Sequence, residues 1–131
     1  MQKEKLINLK EFNTETGNLI AIEGIKDIPF EIKRIFYIYN CDANSIRGDH
    51  ANQESSFILI CISGKVNVLV DNGETQTDYL LDNKSLALYI PNGLWKKMYN
   101  FSEDAILLCL SNYKYDPNEY MYDYQKFLEE R

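Results

Sequence analysis

The stretch Arg47-Gly48-Asp49-His50-Ala51-Asn52 holds the only histidine of this 131-residue chain. It comes just before a strongly apolar strand pattern at residues 56–62. A second stretch, Pro91-Asn92-Gly93-Leu94-Trp95-Lys96, closes another such strand. An imidazole beside a guanidinium suits proton transfer on an anionic or carbonyl substrate. It suits metal binding poorly, because one histidine cannot hold a metal ion alone.

Short strand patterns recur on both sides of these stretches, with turn residues between them. Apolar runs predict strands at residues 6–9, 18–23, 32–39, 56–62, 65–70, 75–81, 85–90 and 105–111. Asp71-Asn72-Gly73 predicts a tight hairpin. Near the C-terminus Asp116-Pro117 marks a helix start, and Tyr120, Tyr124, Phe127 and Leu128 follow at helical spacing. The pattern predicts one all-β domain over residues 1–131, a sandwich or barrel with a short C-terminal helix.

Composition narrows the classes of function. The net charge of −6 argues against a nucleic-acid-binding surface, which would be basic, but allows an anionic small ligand held by local Arg and Lys residues. No apolar run approaches the roughly 20 residues of a membrane span. The three cysteines are odd in number, and Cys61 and Cys109 lie inside apolar strands. Buried free thiols in a reducing cytoplasm are therefore expected.

The spacing of Arg47 and His50 leaves two interpretations open. Three residues apart in a loop or at a strand edge, the two side chains could converge on one pocket. Alternatively, Arg47-Gly48-Asp49 forms a surface turn, with His50 exposed or filling a gap in the core.

Residues 48–52 and 91–100 resemble the two cupin motifs. In cupins the first motif supplies His-x-His, and the second reads Pro-x-Gly-x-x-His-x-x-x-Asn. Here Asn52 stands at the second histidine of the first motif, and Lys96 at the histidine of the second. The resemblance implies an antiparallel cupin (jelly-roll) barrel. Asparagine is a poor transition-metal ligand and lysine repels a cation, so the departures predict a pocket without metal.

A narrower resemblance spans nearly the whole chain. It is carried by residues 27–39, Arg47-Gly48-x-His50-Ala51, Leu88-Tyr89-Ile90-Pro91 with Trp95, and Tyr115-Asp116 with Glu119-Tyr120. In order and spacing these are similar to the dTDP-4-keto-6-deoxyglucose 3,4-ketoisomerases. The resemblance implies a metal-free enzyme without a cofactor. Its expected partner is a dTDP-linked 4-keto-6-deoxy sugar, used in surface polysaccharide or antibiotic synthesis.

The resemblance also assigns catalytic candidates. A 3,4-ketoisomerisation needs a base at C3, proton delivery at C4 and donors for the enediolate. His50 occupies the first histidine of the family motif and is the candidate base. Tyr37 is implied as a pocket residue whose hydroxyl donates to a sugar oxygen or shuttles a proton.

A further set of residues is expected to bind substrate. Arg47 would hold the diphosphate or orient the sugar through its bidentate fork. Lys96 would be a new acid or would neutralise an oxyanion. Lys33 and Arg34 alternate along a strand, so one of them is expected to face the phosphates. The remaining candidates are Asn52 and Trp95.

Several departures from the family lie at pocket positions. Thr16 precedes Gly17 where the family has Arg-Gly, Phe57 replaces a glutamine, and Asn52 and Lys96 replace histidines. The leading hypothesis is an active isomerase that relies on His50. The alternative is a non-catalytic sugar-nucleotide binder, the silent partner of an active paralogue in a mixed dimer. Otherwise a homodimer is expected, covering unpaired N-terminal strands such as residues 6–9.

Overall fold

Short strands dominate this computed structural model, which describes residues 2–131. Met1, the first residue of the predicted domain, lies outside the described residues. The strands are β1 (Lys5–Asn8), β2 (Glu11–Thr14), β3 (Gly17–Ile20), β4 (Arg34–Tyr39), β5 (Ile46–Asn52), β6 (Phe57–Ser63), β7 (Val66–Asp71), β8 (Gln76–Leu81), β9 (Leu86–Ile90), β10 (Trp95–Tyr99), β11 (Ile106–Ser111) and β12 (Tyr120–Met121). A 3₁₀ turn spans Pro117–Glu119, and helix α1 spans Tyr124–Glu130.

The strands form two antiparallel five-stranded sheets and a separate β2–β3 hairpin. The first sheet has the order β1-β9-β6-β11-β4, and the second has the order β12-β5-β10-β7-β8. Buried side chains from both sheets meet between them in one core cluster. The prediction of an antiparallel cupin-type barrel with a short C-terminal helix is confirmed.

Sequence alternation explains which faces are buried. In β7, Val66, Val68 and Val70 are at most 2% exposed, because residues two apart share a face of the sheet. Strand β6 lies at the centre of its sheet and is apolar on both faces, as a strand covered on both sides requires. The hairpin predicted at Asp71-Asn72-Gly73 joins β7 to β8, and Gly73 takes a left-handed φ of 92°.

The C-terminal segment differs from the prediction. Asp116 caps the 3₁₀ turn instead of an α-helix, since its side chain accepts a hydrogen bond from the Asn118 amide at 3.0 Å. Tyr120 then pairs with Asn52 as part of β12. The α-helix begins only after β12, at Tyr124, with Asp123 as its N-cap. Helical spacing from Tyr120 to Tyr124 was therefore coincidental.

The N-terminal strand agrees with the expectation only in part. Residues 6–9 are expected to form an edge strand left unpaired in a single copy; β1 does lie at the edge of the first sheet, but on its inner side it pairs with β9 of the same chain, with Lys5 opposite Tyr89. Within residues 2–131, no helix has the length and apolar content that crossing a membrane would take. Cys61 and Cys109 are buried free thiols, as predicted, whereas Cys41 is only partly buried.

Candidate active site

A β-bulge in β5 brings Arg47 and His50 to the same cavity. Lys96 pairs with His50 and Lys97 pairs with Gly48, so Asp49 is the extra residue of the bulge. Gly48 and Asp49 have φ values of 73° and 59°. A Cβ on Gly48 would come within 3.0 Å of the Met98 sulfur, so the close approach of the strands also favours glycine. Without the extra residue, two side chains three positions apart would lie on opposite faces.

Strand β10, the neighbour of β5 in the second sheet, extends the same wall of the cavity. Lys96 and Met98 face inward, and both are buried. Trp95 faces the other way and packs against Phe127 of α1, with ring centroids 5.5 Å apart. Its indole Nε1 donates to Asp49 Oδ1 at 3.1 Å, which ties the tryptophan to the bulge. The expected role of Trp95 in substrate binding is therefore corrected to a packing role behind the site.

Strand β4 contributes Arg34 and, further in, two apolar side chains. Arg34 Nη1 donates to the Tyr120 hydroxyl at 3.0 Å, and its guanidinium lies 4.9 Å from the Tyr115 ring centroid. Lys33 precedes the strand and is exposed outside the cavity. Of the two alternating cations it is thus Arg34 that faces inward, and Lys33 is removed from the set of pocket residues.

Tyr37 lies outside the cavity. It is 62% exposed and stacks on Tyr39, with ring centroids 5.9 Å apart, on the outer face of β4. Phe36 and Ile38, the inward residues of that strand, line the cavity instead. The expected role of Tyr37 as a catalytic pocket residue is therefore corrected, because residues at i and i+1 in a strand point to opposite faces.

The resulting cavity has a volume of about 110 Å³ and lies between the two sheets. It combines one imidazole and three cationic side chains with an apolar floor. The lining residues are Arg34, Phe36, Ile38, Arg47, Gly48, His50, Phe57, Leu59, Lys96, Met98, Cys109 and Tyr120. Among residues 2–131, no group of three or more His, Cys, Asp or Glu side chains could hold a metal ion.

His50 is held as a neutral imidazole. Its Nδ1 is buried and has no hydrogen-bond partner. Its ring makes edge contacts with Tyr120 and Tyr122, at centroid distances of 4.8 and 5.4 Å. Burial, and next the positive charge of Lys96, lower the pKa of His50 to about 3. A neutral imidazole in a cavity wall, with one nitrogen free of hydrogen-bond partners, is equipped to take a proton.

Lys96 belongs to a buried polar chain behind His50. Its Nζ donates to Asn52 Oδ1 at 2.7 Å, and Asn52 Nδ2 donates to Glu119 Oε2 at 2.6 Å. Lys96 is 3% exposed, and its Nζ lies 4.7 Å from the Phe57 ring centroid. Burial lowers the pKa of Lys96 to about 7, although the charge of Glu119 opposes that change.

Glu119, at the end of this polar chain, is a charged residue to which the sequence assigned no role. Burial would raise its pKa, but hydrogen bonds from Ser55, Glu54 and Asn52 hold the pKa below its usual value. A glutamate in the polar run Asp116-Pro117-Asn118-Glu119 looks like an ordinary turn residue. Only its place beside Tyr120 in the family resemblance set it apart.

The chain is similar in sequence and in fold to known proteins. The family described as FdtA, WxcM-like, C-terminal, matches residues 2–131. A TDP-4-oxo-6-deoxy-alpha-D-glucose-3,4-oxoisomerase of Aneurinibacillus thermoaerophilus is 34% identical over 125 residues, 95% of this chain and 90% of the relative. The structure of WlaRA, a TDP-fucose-3,4-ketoisomerase from Campylobacter jejuni, is 46% identical with a TM-score of 0.94, over 98% of this chain and 95% of that one.

A third relative was solved with a sugar nucleotide bound. It is a mutant of the 3,4-ketoisomerase QdtA from Thermoanaerobacterium thermosaccharolyticum, in complex with TDP-4-keto-6-deoxyglucose. It is 32% identical to this chain with a TM-score of 0.95, over 99% of this chain and 94% of that one.

Proposed function

This chain belongs to the FdtA/WxcM-like family, and from that premise we propose that it is a sugar 3,4-ketoisomerase acting on dTDP-4-keto-6-deoxyglucose. The proposed mechanism is acid/base enolisation without a metal ion or other cofactor. The observation that carries it is the neutral His50, which has an unpaired Nδ1 and lines a cavity together with three cationic side chains.

The proposed reaction begins with proton transfer to His50. The imidazole takes the proton from C3, and the electron pair left behind forms the C3–C4 double bond as negative charge moves onto O4. Transfer of the O3 hydroxyl proton to O4 and return of a proton from His50 to C4 then give the 3-keto, 4-hydroxy product, with no net gain or loss of protons. The developing enediolate also raises the pKa of the imidazole beside it, because nearby negative charge favours the protonated ring.

The cations of the cavity have distinct proposed roles. The buried ammonium of Lys96 faces the developing oxyanion, where a fixed charge in a dry site stabilises it strongly. Arg47, more exposed at the rim of the cavity, is proposed to bind the diphosphate through its guanidinium. Arg34 holds the Tyr120 hydroxyl and is proposed to orient the sugar. Asn52 acts only indirectly in this scheme, by contacting Lys96.

The size of the cavity favours binding of the sugar alone within it. At about 110 Å³ it is smaller than the roughly 300 Å³ of typical pockets that enclose a whole small ligand. The nucleotide is therefore proposed to lie outside, past Arg47. Tyr115, Tyr120 and Tyr122 form a contiguous aromatic group beside the cavity, with neighbouring centroids 5.7 and 6.0 Å apart.

A second candidate function is a non-catalytic sugar-nucleotide binder. It is favoured by the replacement of two family histidines with Asn52 and Lys96, which are hydrogen-bonded to each other. Incubation with dTDP-4-keto-6-deoxyglucose, with the product identified by NMR, separates the two functions. A 3-keto product is expected. Tight binding of TDP with neither isomerisation nor exchange at C3 would establish the binder instead.

We also propose a homodimer. The β2–β3 hairpin stands apart from both sheets and exposes Phe12 and Leu19, at 49% and 58%, and Leu6 of β1 is 46% exposed. Exposed apolar side chains on an N-terminal edge favour cover by a second copy. Light scattering at micromolar concentration should give twice the monomer mass, and a monomer would contradict the proposal.

A further inference from the structure

Two opposite charges are buried on either side of the Asn52 side chain. Lys96 is 3% exposed and Glu119 is 4% exposed, and each bonds to one end of the Asn52 amide. We propose that Glu119 is a positioning residue for Lys96. Acting through Asn52, it keeps the ammonium charged and directed at the cavity, an inference that rests on the proposed isomerisation.

The amide of Asn52 has one orientation that suits both neighbours. Its oxygen accepts from the Lys96 ammonium at 2.7 Å, and its nitrogen donates to the Glu119 carboxylate at 2.6 Å. The flipped amide would set a donor against the ammonium and an acceptor against the carboxylate. Both hydrogen bonds are charge-assisted, and they polarise the amide in the same direction. By accepting from the Asn52 nitrogen, the carboxylate therefore fixes the amide orientation in which the Asn52 oxygen faces Lys96.

Glu119 is itself held from the side opposite Asn52. Its Oε1 accepts from the backbone amides of Glu54 and Ser55 at 2.9 and 3.0 Å, and its Oε2 accepts from Ser55 Oγ at 2.7 Å. These donors favour the ionised carboxylate. The 3₁₀ turn that presents it is fixed by the Asp116 cap. The negative charge is thus built into the fold near neutral pH.

The other groups around Lys96 do not compensate its charge. His50 of β5 is neutral, Arg47 of β5 and Arg34 of β4 are positive, and burial raises the pKa of the Cys109 thiol of β11 to about 12. Phe57 of β6 offers only its ring face. Glu119 is the anion among these neighbours. Burial lowers the pKa of Lys96, and the negative charge of Glu119 opposes that change.

A purely structural role for Glu119 predicts something different. In that case the carboxylate serves only to tie down residues 53–55, and its loss changes stability but not the titration of Lys96. The two roles are separated by following Lys96 directly. Protein labelled with ¹³C at lysine Cε reports the titration by NMR, with Lys96 assigned from the signal missing in Lys96→Met.

The titration should depend on the charge of Glu119. Wild-type Lys96 is expected to titrate near pH 7, and in Glu119→Gln the midpoint should fall by about one unit. Glu119→Asp keeps the charge and should restore most of the shift. Glu4→Gln removes another buried carboxylate, one that accepts from Tyr79, and should leave the midpoint unchanged. An unchanged midpoint in Glu119→Gln overturns the proposal.

Two further variants cover the case in which Glu119→Gln does not fold. Asn52→Leu removes the bridge but leaves Glu119 its bonds to Glu54 and Ser55, and it too should lower the midpoint. Asn112→Ala weakens the same loop by removing the acceptor of the Ser56 amide, away from the bridge, and should not. If Asn52→Leu titrates as wild type does, the proposal is wrong.

Turnover links the titration to the reaction. In Glu119→Gln the alkaline limb of kcat/KM should move to lower pH with the Lys96 midpoint, giving roughly tenfold lower activity on that limb. Because the titration needs no substrate, the two failures can be told apart. An inactive wild type with the expected titration refutes the isomerase, whereas an active enzyme with an unshifted Glu119→Gln titration refutes only the role of Glu119.

Discussion

His50 of β5 and Lys96 of β10 are direct cross-strand partners in the second sheet. Residues paired in this way lie close together on one face, so each feels the charge of the other. Burial and the ammonium lower the pKa of His50 to about 3, while Lys96 remains the more basic group, with a pKa of about 7. Two neighbouring groups whose pKa values differ in this way can serve as base and acid in one site. This difference favours His50 as the proposed proton acceptor and Lys96 as its proposed cationic partner.

Replacing His50 should remove the base without removing the binding site. His50→Asn is expected to lower kcat by roughly 10²–10⁴-fold, the usual contribution of a general base. TDP affinity, measured by calorimetry, should change little. Solvent deuterium incorporation at C3, followed by NMR, should fall in parallel with turnover.

Tyr37→Phe is the matched control for this experiment, since Tyr37 is exposed on the outer face of β4. Its turnover should stay within about twofold of wild type. If His50→Asn exchanged the C3 proton as fast as wild type, Lys96 would become the candidate base.

Arg47→Ala should mainly weaken binding. Hydrogen bonds to charged groups contribute about 1.5–3 kcal/mol, so the Kd for TDP is expected to rise at least about tenfold. The effect on kcat should be smaller, because the diphosphate is remote from the reacting carbons. Lys33→Ala, which removes an exposed cation outside the cavity, should leave Kd unchanged. Equal losses in both variants would mean that Arg47 acts only through overall charge.

The sequence predicted the barrel more fully than the site. Alternation in β7 and the apolar run of β6 are local signals of burial, and both strands formed where expected. Strand β5 was missed as a strand because Gly48, Asp49 and His50 have the composition of a turn. In the structure those residues form the bulge, which is a property of pairing with β10 and is not visible in either strand alone.

The errors at individual site residues have the same origin. Trp95 and Tyr37 were assigned to the pocket by family resemblance, but the face on which a side chain lies depends on strand register. Glu119 lies 67 residues from the asparagine that it contacts, and no local pattern predicts such a pair. By contrast, the convergence of Arg47 and His50, one of two alternatives left open by the sequence, is what the structure shows.

Trp95 should affect stability before it affects chemistry. Trp95→Phe keeps an aromatic ring against Phe127 but removes the donor to Asp49, so the free energy of unfolding is expected to fall by about 1 kcal/mol or more. Urea denaturation measures this change. The KM for the sugar nucleotide should change far less than in Arg47→Ala. A selective rise in KM at unchanged stability would return Trp95 to the substrate-binding set.

Acid should destabilise the fold through His50 before the carboxylates contribute. The pKa of this histidine is about 3 in the folded protein, against an ordinary value of 6.5 in the unfolded chain, so between these values the unfolded chain binds more protons. Stability is therefore expected to be lost as pH falls from 6.5, by about 1–2 kcal/mol at pH 5. The chain has no other histidine, and Glu119, whose pKa is lowered from 4.5, adds to the loss only below that range. Thermal unfolding of wild type and His50→Asn between pH 7 and 5 tests this. The wild-type Tm should drop by a few degrees more than that of the variant, and parallel curves would show that His50 is protonated in the folded state as readily as in the unfolded chain.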